Sequence, residues 1–356
     1  MKRFNLLALL CILMFLSTGC SENASGSNYP MKDPASPSKD HPPLKIAVQS
    51  FYCSSMTGLI QDMGWDVEAG IPLEITAYPD GVQLNQALSD SDWDIAVTGA
   101  AFIYAMVNHD ALLIAHQVDG TGGNTIVARN NSSILQVRGF NPTCPDVYGD
   151  PSTVTGYEIL CNTGTAAHYT LSIWLESIGV KEDSITLLNK DFDDSFYNYM
   201  DGVGDLTSLT PPHSFKNLNR LGWTKVASLE DLGAKMLEGT LCSKNAYENR
   251  RDDIIKFVQL LYRANDRMNA DKKLKFNTVQ SWYKRYGKNL STAEINSEIT
   301  SKPFIGSEQA RAMDMNEFAM QYAEYFVNTG ILKPEQLSIV KANIAGDILA
   351  EAFESN

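Results

Sequence analysis

From Leu44 onward, short apolar runs alternate with stretches of helical spacing. Residues 44–49 (LKIAVQ), 73–78 (LEITAY), 94–98 (DIAVT), 111–118 (ALLIAHQV) and 125–129 (TIVAR) read as strands. Between them, Ser54 and Ser55 cap one helix. A second covers 82–89 after the Pro79-Asp80-Gly81 break, and a third follows Gly99 through Val107. The alternation restarts with strands at 157–161, 184–189 and 205–209, helices at 165–178 and from Asp193 to Met200, and a short apolar stretch at 225–227. Strands alternating with helices predict two α/β units, the second smaller, built on largely parallel sheets. After Cys242 the pattern turns helical over 249–268, 279–286, 308–329 and 335–353. Helices without strands make no third α/β unit, so they are expected to pack back on the first.

The start of the chain follows another pattern. Lys2 and Arg3 precede an apolar run from Leu6 to Leu16, then Ser17, Thr18, Gly19 and Cys20. A basic, apolar, small-residue order is that of a secretory signal peptide, and the run is shorter than the roughly 20 residues a spanning helix needs. LSTGC at 16–20 resembles a bacterial lipobox, which implies cleavage before Cys20 and a diacylglycerol on its thiol. It departs from that motif in having Ser17 where leucine is usual. The alternative is a plain secreted chain with a chance cysteine. Residues 21–43 are Ser, Asn, Gly, Pro and charge, the composition of a flexible tether. Residues 1–19 are thus read as signal and 20–43 as lipid site and tether.

Composition narrows the partners. Roughly 310 residues remain beyond the tether, more than one core usually holds. The net charge of -13, with no basic run, excludes nucleic acid as a sensible partner. Of six cysteines, Cys53, Cys144, Cys161 and Cys242 belong to the folded body, and Cys144 with Cys161 brackets a loop that a disulfide could close. No spacing suggests a metal, and no cofactor motif is present. The five histidines pair with no nucleophile and there is no Gly-x-Ser-x-Gly elbow, so no catalytic residues are assigned.

In open α/β sheets ligands sit where strand ends feed helix starts. Thr98-Gly99-Ala100 and Thr163-Gly164-Thr165-Ala166 each give a strand, a small-residue turn and a helix start, with N–H groups suited to an oxyanion. Simple helix capping is the competing reading of each. Ser50, Phe51, Tyr52 and Cys53 form the first strand-to-helix loop, where Phe51 walls a pocket or enters the core. His168 lies one turn into the second helix, where it reaches a ligand or is simply a buried or surface histidine. Gly120-Thr-Gly-Gly123 lacks the Lys-Ser/Thr pair of a phosphate loop and reads as a turn. Lys190 is the one cation beside these loops, whereas Asp80, Asp119 and Asp191 are nearby. A monoanionic or zwitterionic organic ligand follows. Its amine would meet Asp80 or Asp191, unless these aspartates merely cap helices.

Six segments together resemble the substrate-binding lipoproteins of nitrate/sulfonate/taurine-type ABC importers, over Leu44 to about Leu337. They are IAVQ at 46–49, GVQLNQAL at 81–88, WDIAVTGA at 93–100, GYEILCNTGTAAHY at 156–169, DLTSLTPPHSF at 205–215 and QYAEYFVNTGIL at 321–332. The resemblance implies a two-lobed type II periplasmic-binding fold, α/β, each lobe a helix-flanked mixed sheet with the ligand cleft between. Lobe one would be 44–130 plus 243–356 and lobe two 131–242, with crossings near 128–137 and 239–243. It adds Thr210 to the ligand-facing set, although Thr210-Pro211-Pro212 stands where some branches have Trp-Glu-Pro. It implies no enzyme but a monomeric small-molecule binder, lipid-anchored outside the cell membrane or in the periplasm, served by a permease and a cytoplasmic ATPase. A sensor lipoprotein is the second reading, and an enzyme on this fold acting on a pyrimidine-type substrate the third.

Overall fold

The computed structural model describes residues 42–89, 92–328 and 330–354. The signal, Cys20 and the tether up to residue 41 lie outside the described residues.

Ten strands form two five-stranded sheets. The first sheet contains β1 (Leu44–Gln49), β2 (Leu73–Tyr78), β3 (Ile95–Val97), β4 (Leu112–Asp119) and β10 (Leu237–Cys242) in the order β2-β1-β3-β10-β4. The second contains β5 (Thr125–Arg129), β6 (Glu158–Cys161), β7 (Thr186–Asn189), β8 (Leu206–Leu209) and β9 (Trp223–Ser228) in the order β7-β6-β8-β5-β9. In each, three strands run parallel and the fourth in order is antiparallel to both neighbours. The antiparallel strand is the one the chain exchanges. β5 is the first strand built after leaving the first sheet, and β10 is the last, laid down on return.

The crossings therefore fall at 120–124 and 229–236, not near 128–137 and 239–243 as expected from sequence. Correspondingly, β5 belongs to the second sheet and β10 to the first, which shifts the expected lobe limits at 130 and 242. The reason is local. LEGTLC carries Glu238 and Gly239 inside an otherwise apolar run, so it does not read as a central strand, yet all six of its residues are buried.

Alternation places the cores. In β1, Leu44, Ile46 and Val48 face one side of the sheet and Ala47 the other. In β6, Ile159 and Cys161 face one core and Leu160 the opposite one. The helical tail covers both faces of the first sheet. Ile254, Phe257, Val258 and Leu261 of the Arg251–Ala270 helix share a core with Ile46 and Val48, while Ala319 and Phe326 of the Met315–Asn328 helix pack with Ala47 and Ala96. One further helix, Thr292–Ser301, opens on a capping box between Ser291 and Glu294. The Ser-x-x-Glu spacing at 291–294, with Ile295 and Ile299 one turn apart, is the local signal for it, outside the helical stretches expected above.

The four body cysteines are free thiols. Cys144 and Cys161 sit in the same apolar core without bonding, which corrects the expected bridge. Cys161 is fixed by its ladder to β7, and Cys144 by turn hydrogen bonds with Asn141 and Val147, so each thiol is placed by its own backbone.

Candidate functional site

The facing ends of the two sheets enclose a small cavity. From the first sheet it is lined by Gln49 at the end of β1 and Phe51 and Cys53 beyond it, by Gly99 to Ala101 after β3, and by Glu238 of β10. The second sheet contributes Thr165 and Ala166 after β6, Phe192 after β7, and Thr210 and Pro211 after β8. Asn124 enters from the first crossing, and Glu298 and Lys302 from the helical tail. The space is about 50 Å³.

Several contacts hold the two sides together. Phe51 meets Phe192 edge to face with centroids 5.6 Å apart. Asn162 Nδ2 donates to Asp80 Oδ2 across 3.3 Å, and Lys216 Nζ lies 3.6 Å from Glu294 Oε1. The first crossing passes through a tight gap. A Cβ on Gly122 would come within 2.1 Å of the Ser301 carbonyl oxygen, and one on Gly120 within 2.6 Å of Glu238 Cγ. The glycine-rich turn is thus what lets the chain pass between Glu238 and Ser301.

Of the residues singled out from sequence, Phe51, Cys53, Gly99, Ala100, Thr165, Ala166 and Thr210 line the cavity. Thr98 is buried behind it, donating its hydroxyl to Gln49 Oε1 at 3.2 Å. The same Oε1 accepts the Gly99 N–H at 2.8 Å, so that amide is already satisfied. On the facing turn, Thr165 Oγ1 accepts from Ala167 N as the N-cap. The first-turn amides of a helix lack acceptors in their own helix, and Ala166, the first residue of this one, lines the cavity. Tyr52 stacks on Phe304 at 4.5 Å in the core, and Ser50 is half-buried at the end of β1.

The remaining residues are occupied elsewhere. Thr163 and Gly164 line a separate space of about 330 Å³ with Tyr104 and His168. Thr163 N–H donates to Asn189 Oδ1, and Gly164 N–H to His168 Nδ1. His168 Nε2 lies 3.2 Å from Glu182, and that hydrogen bond holds the Glu182 carboxyl below the usual carboxylate range. Asp80 accepts from Gln83 N as well as from Asn162. Asp191, not Asp193, caps the Phe192–Met200 helix and is exposed.

What sequence reasoning missed is the floor of the cavity. Lys302 Nζ lies 2.5 Å from Glu238 Oε1, and both side chains are almost fully buried. Tyr283 donates its hydroxyl to Glu298 Oε2 at 2.5 Å. Burial pushes the Glu298 carboxyl up to about 7 against the pull of Lys302. Burial also raises Glu238 above the usual carboxylate range despite Lys302. Burial disfavours the Lys302 ammonium, but Glu238 and Glu298 outweigh it and hold the amine charged. The cavity lining thus holds a cation, Lys302, paired with Glu238, whereas Lys190 is not part of it. Among the described residues no cluster of His, Cys, Asp and Glu is arranged to hold a metal ion.

Two five-stranded sheets with one strand order, joined by two crossings and enclosing a cavity at their facing ends, define the architecture. The chain has the type II periplasmic-binding-protein fold. It superposes on the alkanesulfonate-binding protein SsuA from Xanthomonas axonopodis pv. citri, bound to MOPS, with a TM-score of 0.65, 18% identity and coverage of 85% of this chain and 98% of that one. For the periplasmic nitrate-binding protein NrtA from Synechocystis PCC 6803 the TM-score is 0.69, with 11% identity and 89% of each chain covered. In sequence, the chain is 26% identical over 344 residues to a protein named as an ABC-transporter periplasmic binding protein in Brachyspira hyodysenteriae, covering 97% of this chain and 96% of that protein. No family model matches the sequence.

Proposed function

We propose that this chain is the solute-binding component of an ABC importer. It captures a small organic anion or zwitterion of the sulfonate type by closure of two lobes and presents it to a membrane permease driven by a cytoplasmic ATPase. The observation that carries this reading is the cavity lined from both sheets. Each side offers a strand-to-helix turn of small residues, Gly99 to Ala101 and Thr165 to Ala166. Exposed first-turn amides and the helix dipole favour negative charge at such turns. The named ligands of the structural neighbours, sulfonate and nitrate, are oxyanions. The lobes are the two sheets with their helices, hinged at 120–124 and 229–236. Closure is the population shift that a ligand bridging both sides brings about.

The chain is read as a monomeric binder rather than an enzyme, in keeping with the binding proteins that it resembles. Export and anchoring through Cys20 complete the reading, supported by the LSTGC stretch. A tethered receptor keeps its effective concentration at the permease high. Palmitate incorporation that vanishes with Cys20→Ala tests the anchor.

Titration calorimetry of residues 21–356 with alkanesulfonates, aminoalkanesulfonates, nitrate and carboxylates tests the binder reading. Micromolar or tighter binding of at least one oxyanion is expected. Silence across the panel would contradict it.

A further inference from the structure

We propose that the floor of the cleft is a subsite for a protonated nitrogen of the ligand, an ammonium or amidinium group, held by Glu238 Oε2 and Asn124 Oδ1. The inference rests on the solute-binding reading and names the ligand's other end.

Two buried acceptors without a donor among the described residues belong to residues that line one small space. Glu238 spends Oε1 on Lys302 Nζ, and among the described residues nothing donates to its Oε2. Asn124 is wholly buried. Its Nδ2 donates to the carbonyls of Gly120 at 2.7 Å and Thr121 at 3.2 Å, which fixes the orientation of the amide. Its Oδ1 is then an acceptor by necessity, and it too has no donor among the described residues. Both residues line the same cavity. Buried acceptors are nearly always satisfied, so two left open on residues of one cavity lining mark where donors arrive.

Charge selects the kind of donor. Glu238, Glu298 and Lys302 all line the cavity, two carboxyl groups beside one ammonium. Among the cavity's described lining residues Lys302 is the one cation, and Glu238 has already engaged it. An incoming positive group favours the ionised form of both carboxyls, which burial opposes, whereas a neutral hydroxyl only fills the hydrogen bonds. Asp80 and Asp191, the carboxylates that sequence suggested for this role, are helix caps outside the cavity. The guest is then a short zwitterion. Its oxyanion lies at the helix starts near Ala100 and Ala166, and its cationic nitrogen lies at the crossing, beneath the hinge.

The test is calorimetry with matched pairs, taurine against ethanesulfonate and β-alanine against propanoate, on residues 21–356 in wild type and in the double variant Glu238→Gln/Lys302→Met. The double variant removes the ion pair as a unit, so neither partner is left charged alone, and urea unfolding establishes that it folds. The expected result is at least a hundredfold preference for the amine member in wild type, falling to within about threefold in the double variant. A second variant, Asn124→Leu, removes the other acceptor and is expected to cost the amine member at least tenfold while leaving the amine-free member within threefold. Equal affinity for both members in wild type would overturn the inference and leave the solute-binding reading standing. A preference that persists in both variants would also overturn it. If no member of either pair binds, both the inference and the sulfonate-type reading fall.

Discussion

Replacing Lys302 with methionine isolates the buried ion pair. The side chains of Lys302 and Glu238 are 8% and 4% exposed, and Nζ lies 2.5 Å from Oε1. Removing one partner of such a pair costs about 3–5 kcal/mol, because the other charge stays buried alone. Glu238 can escape by taking a proton, which sets a ceiling. From an ordinary carboxylate value of 4.5, protonation at pH 7 costs about 3.4 kcal/mol at 1.36 kcal/mol per pH unit. At pH 5 the same step costs about 0.7 kcal/mol. The sign follows from linkage. The variant raises the folded value of Glu238 further above its unfolded value, so stability is retained below pH 4.5 and lost as pH rises. Glu298, which Lys302 also pulls down, shifts the same way. Lys302 itself is charged in both states over this range and adds no slope. Urea unfolding at pH 5 and 7 should therefore show a deficit of about 3 kcal/mol or more at pH 7 that shrinks below about 1.5 kcal/mol at pH 5. The Glu238→Gln/Lys302→Met double variant should recover most of it. A deficit that is the same at both pH values would refute the reasoning, since it would then come from lost packing rather than from an unpaired charge.

Two further outcomes follow from the same geometry. Glu298, raised to about 7, loses stability for the fold as pH climbs from 4.5. His116, buried and lowered to about 4, loses it in the opposite direction as pH falls from 6.5. The two slopes offset one another between pH 4.5 and 6.5, so Glu298→Gln should uncover a rise in stability of up to about 3 kcal/mol across that interval. A profile unchanged from wild type would contradict the placement of Glu298. Gly122→Ala should destabilise by about 1–3 kcal/mol or more in urea, because its methyl has only 2.1 Å to the Ser301 carbonyl. A shift under about 0.5 kcal/mol would show that the crossing is looser than described.

How much of this was legible depends on range along the chain. Runs such as LKIAVQ and TIVAR announce strands because every residue of the signal is adjacent. The same holds for the small-residue turns at Gly99 and Thr165, which line the cavity. The helix cap at Asp191 and the partner of His168 were ambiguous, since capping and ligand contact ask for the same residue types. The cavity floor was out of reach. Glu238 in LEGTLC reads as a surface charge, and Lys302 in TSKPF as a solvated one. Each is tolerated in the interior because of the other, 64 positions away. The same charge, with Gly239, disguised β10 and moved the expected crossings. Gly120 and Gly122 read as a flexible turn, whereas the structure uses them for close passage beside Glu238 and Ser301.

The most direct test of solute capture in this cleft is native mass spectrometry of residues 21–356 purified gently from cells, beside the variant Ala166→Trp, whose indole would fill the cavity. A small molecule bound one to one in the wild type, released on denaturation and missing from the folded variant, is the predicted result. A bound molecule retained equally by both proteins would place the ligand elsewhere, and a wild type that neither carries nor takes up any small oxyanion or zwitterion would contradict the account.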